Sequence, residues 1–488
     1  MTRKSPAHES DALLQAALRG ELDEAQARQL ARRGAEAVTI MLLALVKRIA
    51  ELNSAASHSS TTPSTPSAMI PVYEKPSTPV RRKRPGAKNG HPGTRRPPPA
   101  KIDHRVEHRL QRCPDCGGPV QRCRRTRTRI IEDIPENITP VVTEHTLHRD
   151  YCPNCKKDVE PVVTDAMPGA TLGHSVVSLT SWFHYGLGIT IAQIVEILSF
   201  HLHTRLSEGG LVNAWGRLAT VLADWYEQIA EQAKRSAVLH ADETGWRVLG
   251  QTYWLWCFAN HHVCYYMIDR GRGSPALQRF FTAAFAGTLV HDFWAPYLSL
   301  EVDDRQYCLV HLLRELEKVD EHNSSAEWQA FAKKLRRLIR DGIRLRKRSD
   351  FSPQRYGSRI RLIDRRLTEL AEWQREDDTP IYHDPDTLRL AKRLRKHCDF
   401  LFTFLDKPEV PFDNNLAERA IRPAVILRKN SQSNRSEQGA ATQAILMSVY
   451  RTLRLRGLDP TKTITAALRT YLQTGQLPPL PDKVAADG

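Results

Sequence analysis

At 488 residues the chain is long enough for several domains, and 41% hydrophobic with 26% charged residues is a globular balance. The formal charge of +16 points to a polyanionic partner, most simply nucleic acid, with an anionic membrane surface as the weaker alternative. The start MTRKSPAHESD has no apolar core segment and the apolar run at 38–46 is too short to span a bilayer, so neither an export signal nor a membrane span is expected. Nine cysteines, four of them in two CxxC pairs, favour thiols and metal over disulfides. The expected location is cytoplasmic, in association with the nucleoid.

In chain order, residues 10–53 read as a helical, coiled-coil segment. Ala31, Ala35, Val38, Leu42, Leu45, Ile49 and Leu52 form an a/d seam about three heptads long. A dimerising coiled coil and an amphipathic helix packed on its own protein both satisfy that seam. Residues 54–103 read as a disordered, Pro-rich and increasingly basic linker. From Tyr73 to Arg112 there are 12 Lys/Arg against 3 Asp/Glu. Arg81, Arg82, Lys83 and Arg84 are the densest part, and such an arm can lie along phosphates and release counterions.

Residues 104–163 hold the cysteine pairs, Cys113-Pro-Asp-Cys116 and Cys152-Pro-Asn-Cys155. Thiolates with two residues between them can share one ion while neighbouring amides bond the sulfurs, and four thiolates suit a tetrahedral structural Zn²⁺. Between the pairs, RTRTRIIEDI and ITPVVTEHTLHRDY alternate like two strands, so a hairpin is expected to bring the knuckles together. Residues 164–236 read as helices, either a helix-turn-helix-like DNA binder or a packed bundle.

At residue 237 the pattern changes. AVLHADETGWRVL, TYWLWCFANHH and VCYYMIDRGR read as a three-strand meander, rich in aromatic and β-branched residues. PALQRFFTAAF follows as a helix, GTLVHD as a strand, WAPYLSLE as a short helix, RQYCLVH as a last strand and LLRELEKVDEH as a helix. That order, β-β-β-α-β-α-β-α, is that of a ribonuclease H-like sheet, with later strands returning parallel through helices. It puts Asp242 and Asp292 at the ends of neighbouring strands. Glu418, in a helix opened by Asp413 or Asn414, supplies a third carboxylate. Three convergent carboxylates suit two Mg²⁺ ions roughly 4 Å apart, with Mn²⁺ able to substitute; such a pair activates water and stabilises the leaving oxygen of a phosphodiester. Glu243 points to the other strand face and reads either as a support behind the metal ligands or as structural. His291 also reads as structural, while His311, opening a helix, is a candidate for phosphate.

HADETGWRV, LVHDFWAPY, CLVHLLREL and PFDNNLAERAIRP, followed by RKNSQSNRSEQGA, resemble the large transposase of the insertion-sequence-66 family, over nearly the whole chain. The basic Gly/Pro stretch and the two knuckles resemble that family's upstream segments. The chain departs from the family pattern at Cys308-Leu-Val-His311, where members often carry a small residue before the histidine, and at SQSNRS, where they often carry SGGFRS. The resemblance implies a DDE-type enzyme with Asp242, Asp292 and Glu418 as metal-binding triad. It implies binding to inverted-repeat ends of double-stranded DNA, hydrolysis that frees a 3′-OH, and attack of that 3′-OH on target DNA. Arg419, Arg422, Arg428 and Lys429 are the expected phosphate contacts beside the glutamate. A homo-oligomer is expected, with small accessory transposition proteins as further partners and no membrane.

The expected fold is therefore multidomain. A ribonuclease H-like α/β catalytic domain spans 237–455, with a helical insertion at about 320–408. A small zinc-binding β segment, a helical region and a coiled-coil helix precede it, and a C-terminal helix and tail cover 456–488. A DNA-binding regulator derived from an inactive transposase and a ribonuclease H-like nuclease without strand transfer are the rival readings.

Overall fold

The structure, a computed structural model, describes residues 99–121, 127–135, 138–431 and 434–483. The heptad segment 10–53, the arm residues Arg81, Arg82, Lys83 and Arg84, and nearly all of the linker lie outside the described residues.

Each cysteine knuckle is a tight turn. Gly117, with φ of 70°, lets its amide return to the Cys113 carbonyl at 2.9 Å, and the Cys113 amide bonds the Gly118 carbonyl at 2.9 Å. The second knuckle joins the short antiparallel strands β1 (Asp150–Cys152) and β2 (Lys157–Val159). The hairpin expected between the knuckles is not found: the described residues of 127–149 carry no strand. Their alternation has no face to pack on, because Ile131, Ile134, Val141 and Val142 are all exposed.

The helical stretch that follows is a packed body. It comprises α1 (His174–Ser181), continued by a π turn at Trp182–Gly186, α2 (Ile191–His201) and α3 (Glu208–Lys234). Ser207 starts α3 by accepting from the Gly210 amide. Its apolar stripe, Leu211, Trp215, Leu222, Trp225 and Ile229, is completely buried. Trp215 Nε1 donates to Thr180 Oγ1 at 3.1 Å and Trp225 Nε1 to the Pro478 carbonyl at 2.6 Å, so both indoles are satisfied inside.

A five-stranded mixed sheet forms the centre: β3 (Val238–Val248), β4 (Gln251–Ala259), β5 (Cys264–Asp269), β6 (Phe285–His291) and β7 (Val302–Tyr307), in the order β5-β4-β3-β6-β7. β3, β4 and β5 pair antiparallel, whereas β6 and β7 join parallel. The meander and the parallel returns follow the order expected from the sequence. β3 and β4 meet at Leu249-Gly250, both with positive φ, which is what a two-residue hairpin needs. The strained Leu249 is held by its amide, which bonds the Asn434 carbonyl at 3.0 Å. α4 (Ser274–Phe280) carries the chain from β5 back to β6, and a 3₁₀ turn at Ala295–Ser299 leads to β7.

Beyond β7 the chain is helical: α5 (Leu309–Asp320), α6 (Ala326–Arg346), α7 (Pro353–Ala371), α8 (Pro385–His397), the short α9 (Thr403–Asp406), α10 (Asn415–Ser431), α11 (Glu437–Leu455) and α12 (Pro460–Thr474). Helices α5 to α9 close a hydrophobic cluster of their own, which reaches the sheet at Val290 and Tyr307. α10 and α11 instead join the sheet's main core. α11 also covers edge strand β5: Ser448 Oγ accepts the Tyr266 amide at 2.9 Å and Thr452 Oγ1 the Cys264 amide at 3.1 Å. Two hydroxyls one helical turn apart thus occupy amides that an edge strand leaves open. No helix among the described residues is long and apolar enough to cross a membrane.

Candidate active site

β3 and β6 run parallel with His240 paired to Val290. β6 ends at His291, so Asp292 is the first residue beyond it, near enough to Asp242 on β3 for its charge to raise the Asp242 carboxyl. Asp242 shares its strand face with His240 and Thr244. That is the face α10 covers, because Asn414 bonds His240 and Arg428 bonds Thr244. Glu418 lies in the first turn of α10, with its charge felt by both aspartates.

The acids are crowded. Burial, then Glu243 and Asp292, hold the Asp242 carboxyl well above the usual carboxylate range. Asp292 is also raised, chiefly by burial, although its Oδ1 accepts the Trp294 amide at 2.9 Å. Like charges that repel at one sheet end are what a divalent cation reverses, and three carboxylates offer only hard oxygen donors. The donor set therefore fits Mg²⁺ or Mn²⁺. The three carboxylates are not yet gathered around one point. Among the described residues, the three ligand side chains whose atoms all lie within 4.8 Å of one another are Cys308, His311 and Glu418. Glu418 Oε1 stands 3.5 Å from His311 Nε2 and 3.6 Å from Arg314 Nη1, rather than beside Arg422 one turn on.

Glu243 faces away from Asp242, as strand alternation requires. It receives Arg272 Nε at 3.1 Å, Arg272 Nη2 at 2.8 Å and the Tyr297 hydroxyl at 2.7 Å. Arg272 is itself sandwiched between Trp254 and Trp294, 4.5 and 3.8 Å from the ring centres. His291 is fully buried against Tyr297 and Tyr307, with burial pushing its pKa down to about 3, so it is a neutral packing residue.

The profile of the family described as "Transposase IS66 family" matches residues 169–442, more than half of the chain. The chain belongs to this family. Two relatives of this IS66-family chain come from Sinorhizobium fredii (strain NBRC 101917 / NGR234). The uncharacterized protein y4qI is 28% identical over 293 residues, 54% of this chain and 53% of the relative. The uncharacterized protein y4jD is 24% identical over 393 residues, 73% of each chain. The chain thus spans about half the length of the first and nearly three quarters of the second.

Within this IS66 chain the remaining candidates fall into different surroundings. Arg419, Arg422 and Lys429 are exposed along α10. Arg428 is half-buried and engaged with the sheet: Nη1 donates to Thr244 Oγ1 at 3.0 Å and to the Gly245 carbonyl. Cys113 with Cys116, and Cys152 with Cys155, each form a pair supported by local amides, and the Cys155 amide reaches Cys152 Sγ at 3.4 Å. Amides directed at the sulfur pull the Cys113 and Cys152 thiols down, a donor chemistry that fits Zn²⁺ pair by pair. The two pairs do not meet within ligand distance of each other.

Sequence reasoning missed three supports. One is the Glu243–Arg272 pair, for which the sequence carries no local signal. The second is the proximity of Cys308 and His311 to Glu418. Two ligand residues three apart across a strand–helix junction were the available hint. The third is Asn414, expected only as a helix cap. It is buried, its Oδ1 lies 2.9 Å from His240 Nδ1, its Nδ2 donates to the Ala241 carbonyl at 2.8 Å, and its amide donates to Cys308 Sγ at 3.2 Å. It fastens the Glu418 helix to the Asp242 strand. Asn414→Ala is expected to cost about 1–3 kcal/mol, because two buried polar groups lose their partner. It should also weaken divalent-metal binding roughly tenfold or more. Chemical denaturation and Mn²⁺ titration measure the two effects; unchanged metal affinity would limit Asn414 to a packing role.

Proposed function

We propose that this chain is a DDE-type DNA transposase that binds the inverted-repeat ends of its element, hydrolyses a phosphodiester there and joins the freed 3′-OH to target DNA. The observation that carries the reading is Asp292, directly after β6, close enough to Asp242 of neighbouring β3 to raise its carboxyl, with the Glu418 helix packed over the same face. The strand order β5-β4-β3-β6-β7 supports a ribonuclease H-like core, and membership of the IS66 family supports DNA as substrate.

In this reading Asp242, Asp292 and Glu418 hold two Mg²⁺ ions. When bound, the metals supply charge to the attacking and leaving oxygens of the displacement. Asn414 fixes the spacing between the Asp242 strand and the Glu418 helix. The Trp294 amide fixes the orientation of Asp292. Arg419, Arg422 and Lys429 offer cations on the exposed side of α10 for the phosphates that flank the cut. Arg428 braces that helix on β3 and contributes shape rather than contact. The basic arm Arg81–Arg84 and a zinc-bound knuckle segment, through Cys113, Cys116, Cys152 and Cys155, add grip on duplex DNA. The N-terminal heptads pair protomers so that two ends are held together, and small accessory proteins complete the assembly.

The test uses labelled DNA carrying the flanking ends of the gene, full-length protein, and Mg²⁺ or Mn²⁺. Metal-dependent nicking at the end followed by joined products supports the proposal. Nicking without joined products would reduce the protein to a nuclease. Tight specific binding with no cleavage, even after the accessory proteins are added, would reduce it to a DNA-binding regulator.

A further inference from the structure

We propose that Cys308, His311 and Glu418 form a site for a divalent cation of the zinc class, bound through one thiolate, one imidazole and one carboxylate. The site would share Glu418 with the acidic centre. The sharing rests on the proposed role of Glu418; the site itself does not.

The geometry is the first support. The three ligand atoms lie within 4.8 Å of one another, and His311 Nε2 is already 3.5 Å from Glu418 Oε1. Zinc takes sulfur at about 2.3 Å and imidazole nitrogen at about 2.0 Å, so ligand atoms on one tetrahedral ion stand roughly 3.5 Å apart. Small rotations of side chains close the difference.

The second support is unsatisfied polarity. His311 Nδ1 and Glu418 Oε1 are buried and make no hydrogen bond; Glu418 Oε1 has only a long ion pair to Arg314 Nη1, at 3.6 Å, and His311 Nε2 at 3.5 Å. A buried acceptor left without a partner is destabilising, and a bound ligand relieves it. The third support is the setting of the sulfur. Cys308 is fully buried at the junction of β7 and α5 and receives the Asn414 amide at 3.2 Å. The first turns of α5 and α10 meet at the three side chains. Burial pushes the Cys308 thiol up to about 11 although neighbouring amides act to lower it, so a bound cation has to displace the thiol proton.

Donor chemistry sets the ion. Mg²⁺ wants oxygen and keeps its waters, whereas one sulfur, one nitrogen and one oxygen select Zn²⁺, Co²⁺ or Cd²⁺. Three protein ligands leave the fourth position open. Entry is from the side of His311 and Glu418, which keep 36% and 29% side-chain exposure, since Cys308 is sealed. An ion seated there draws Glu418 away from Asp242 and Asp292, so micromolar zinc antagonises the Mg²⁺-dependent reaction.

Cobalt reports the site without any need for cleavage. Metal-stripped full-length protein is titrated with Co²⁺ in excess Mg²⁺, which fills oxygen-only sites. Bound cobalt and the sulfur-to-cobalt charge-transfer absorption are then compared among wild type, Cys308→Ser, His311→Ala and Glu418→Gln. The cysteine knuckles contribute equally to all four and cancel in the difference spectra. Each variant is expected to lose a single cobalt equivalent, and Cys308→Ser to lose the charge-transfer intensity that goes with it. Should Cys308→Ser fail to fold, the half-exposed His311 and Glu418 variants decide by stoichiometry. Superimposed spectra and equal cobalt counts would overturn the proposal, as would a lost equivalent carrying no sulfur band. Superimposed spectra beside intact end cleavage would sink this site alone; a cobalt signal beside absent cleavage would sink the transposase reading and leave the site.

Discussion

On the proposed function, Asp292→Asn is expected to lower metal-dependent end cleavage by roughly a thousandfold, with DNA affinity and folding close to wild type. The magnitude is that of removing a charged group from a preorganised polar site, which on the proposed function would anchor metal. The variant keeps its shape: the asparagine carbonyl can still accept the Trp294 amide that Asp292 Oδ1 accepts at 2.9 Å. What changes is charge. Asp292 is one of the groups that raise the Asp242 carboxyl, so its removal eases the crowding while it removes a metal ligand. Stability should therefore hold or rise slightly as activity collapses. Gel assays of end nicking, with binding followed by anisotropy, separate the two. A joint loss of binding and cleavage would assign Asp292 a structural role and remove it from the triad.

Arg272→Ala is the substitution with the largest expected effect on stability, about 3 kcal/mol near neutral pH. The Glu243 and Arg272 side chains are only 2% and 9% exposed, so water cannot replace the lost partner. Even with Arg272 present, burial and then Asp292 push Glu243 up to about 7, above its ordinary value of 4.5. Without the guanidinium the carboxyl rises further. A carboxyl raised in the folded state favours folding below its unfolded value and loses that contribution as pH rises through the folded value. The deficit of Arg272→Ala should therefore be smaller near pH ~5 than near pH ~8. Urea denaturation at both values checks the sign, and Glu243→Gln in the same chain should restore part of the loss. A deficit independent of pH and of Glu243 would place the effect in the Trp254 and Trp294 stacking instead. Activity should fall too, because Arg272 stacks on Trp294, whose amide orients Asp292.

The central sheet was legible because its signals are local. Aromatic and β-branched runs mark β3, β4 and β5, and the turn at Leu249-Gly250 separates the first two. Strand order brought Asp242 and Asp292 to neighbouring strands, whereas their reading as metal ligands also drew on the third acid, the basic chain and the family resemblance. Other features depend on contacts that no window of sequence contains. The alternating residues of 127–149 look like strands, yet alternation creates a strand only where a second surface receives it. Asn414 has the composition of a helix cap, and its bonds to His240 and Ala241 bridge more than 170 residues. Arg428 sits in a basic run that reads as phosphate-facing, but one step around α10 turns it onto Gly245. The helices before the sheet left binder and bundle equally open until the burial of Trp215 and Trp225 showed them packed.

The distance along the chain between Asp292 and Glu418, 126 residues, has a consequence in time. At about 5–20 residues per second, a ribosome that has made Asp292 needs roughly 6–25 s more to reach Glu418. Ser448 and Thr452, which close the edge of β5, come later still. Through that interval the nascent chain already carries its knuckles and basic arm, and both aspartates, but no third carboxylate. On the proposed function, newly made protein can take hold of nearby DNA before it is able to cut. Contacts this distant in sequence also form late in folding. On that function, competence to cleave comes only after the binding segments are made.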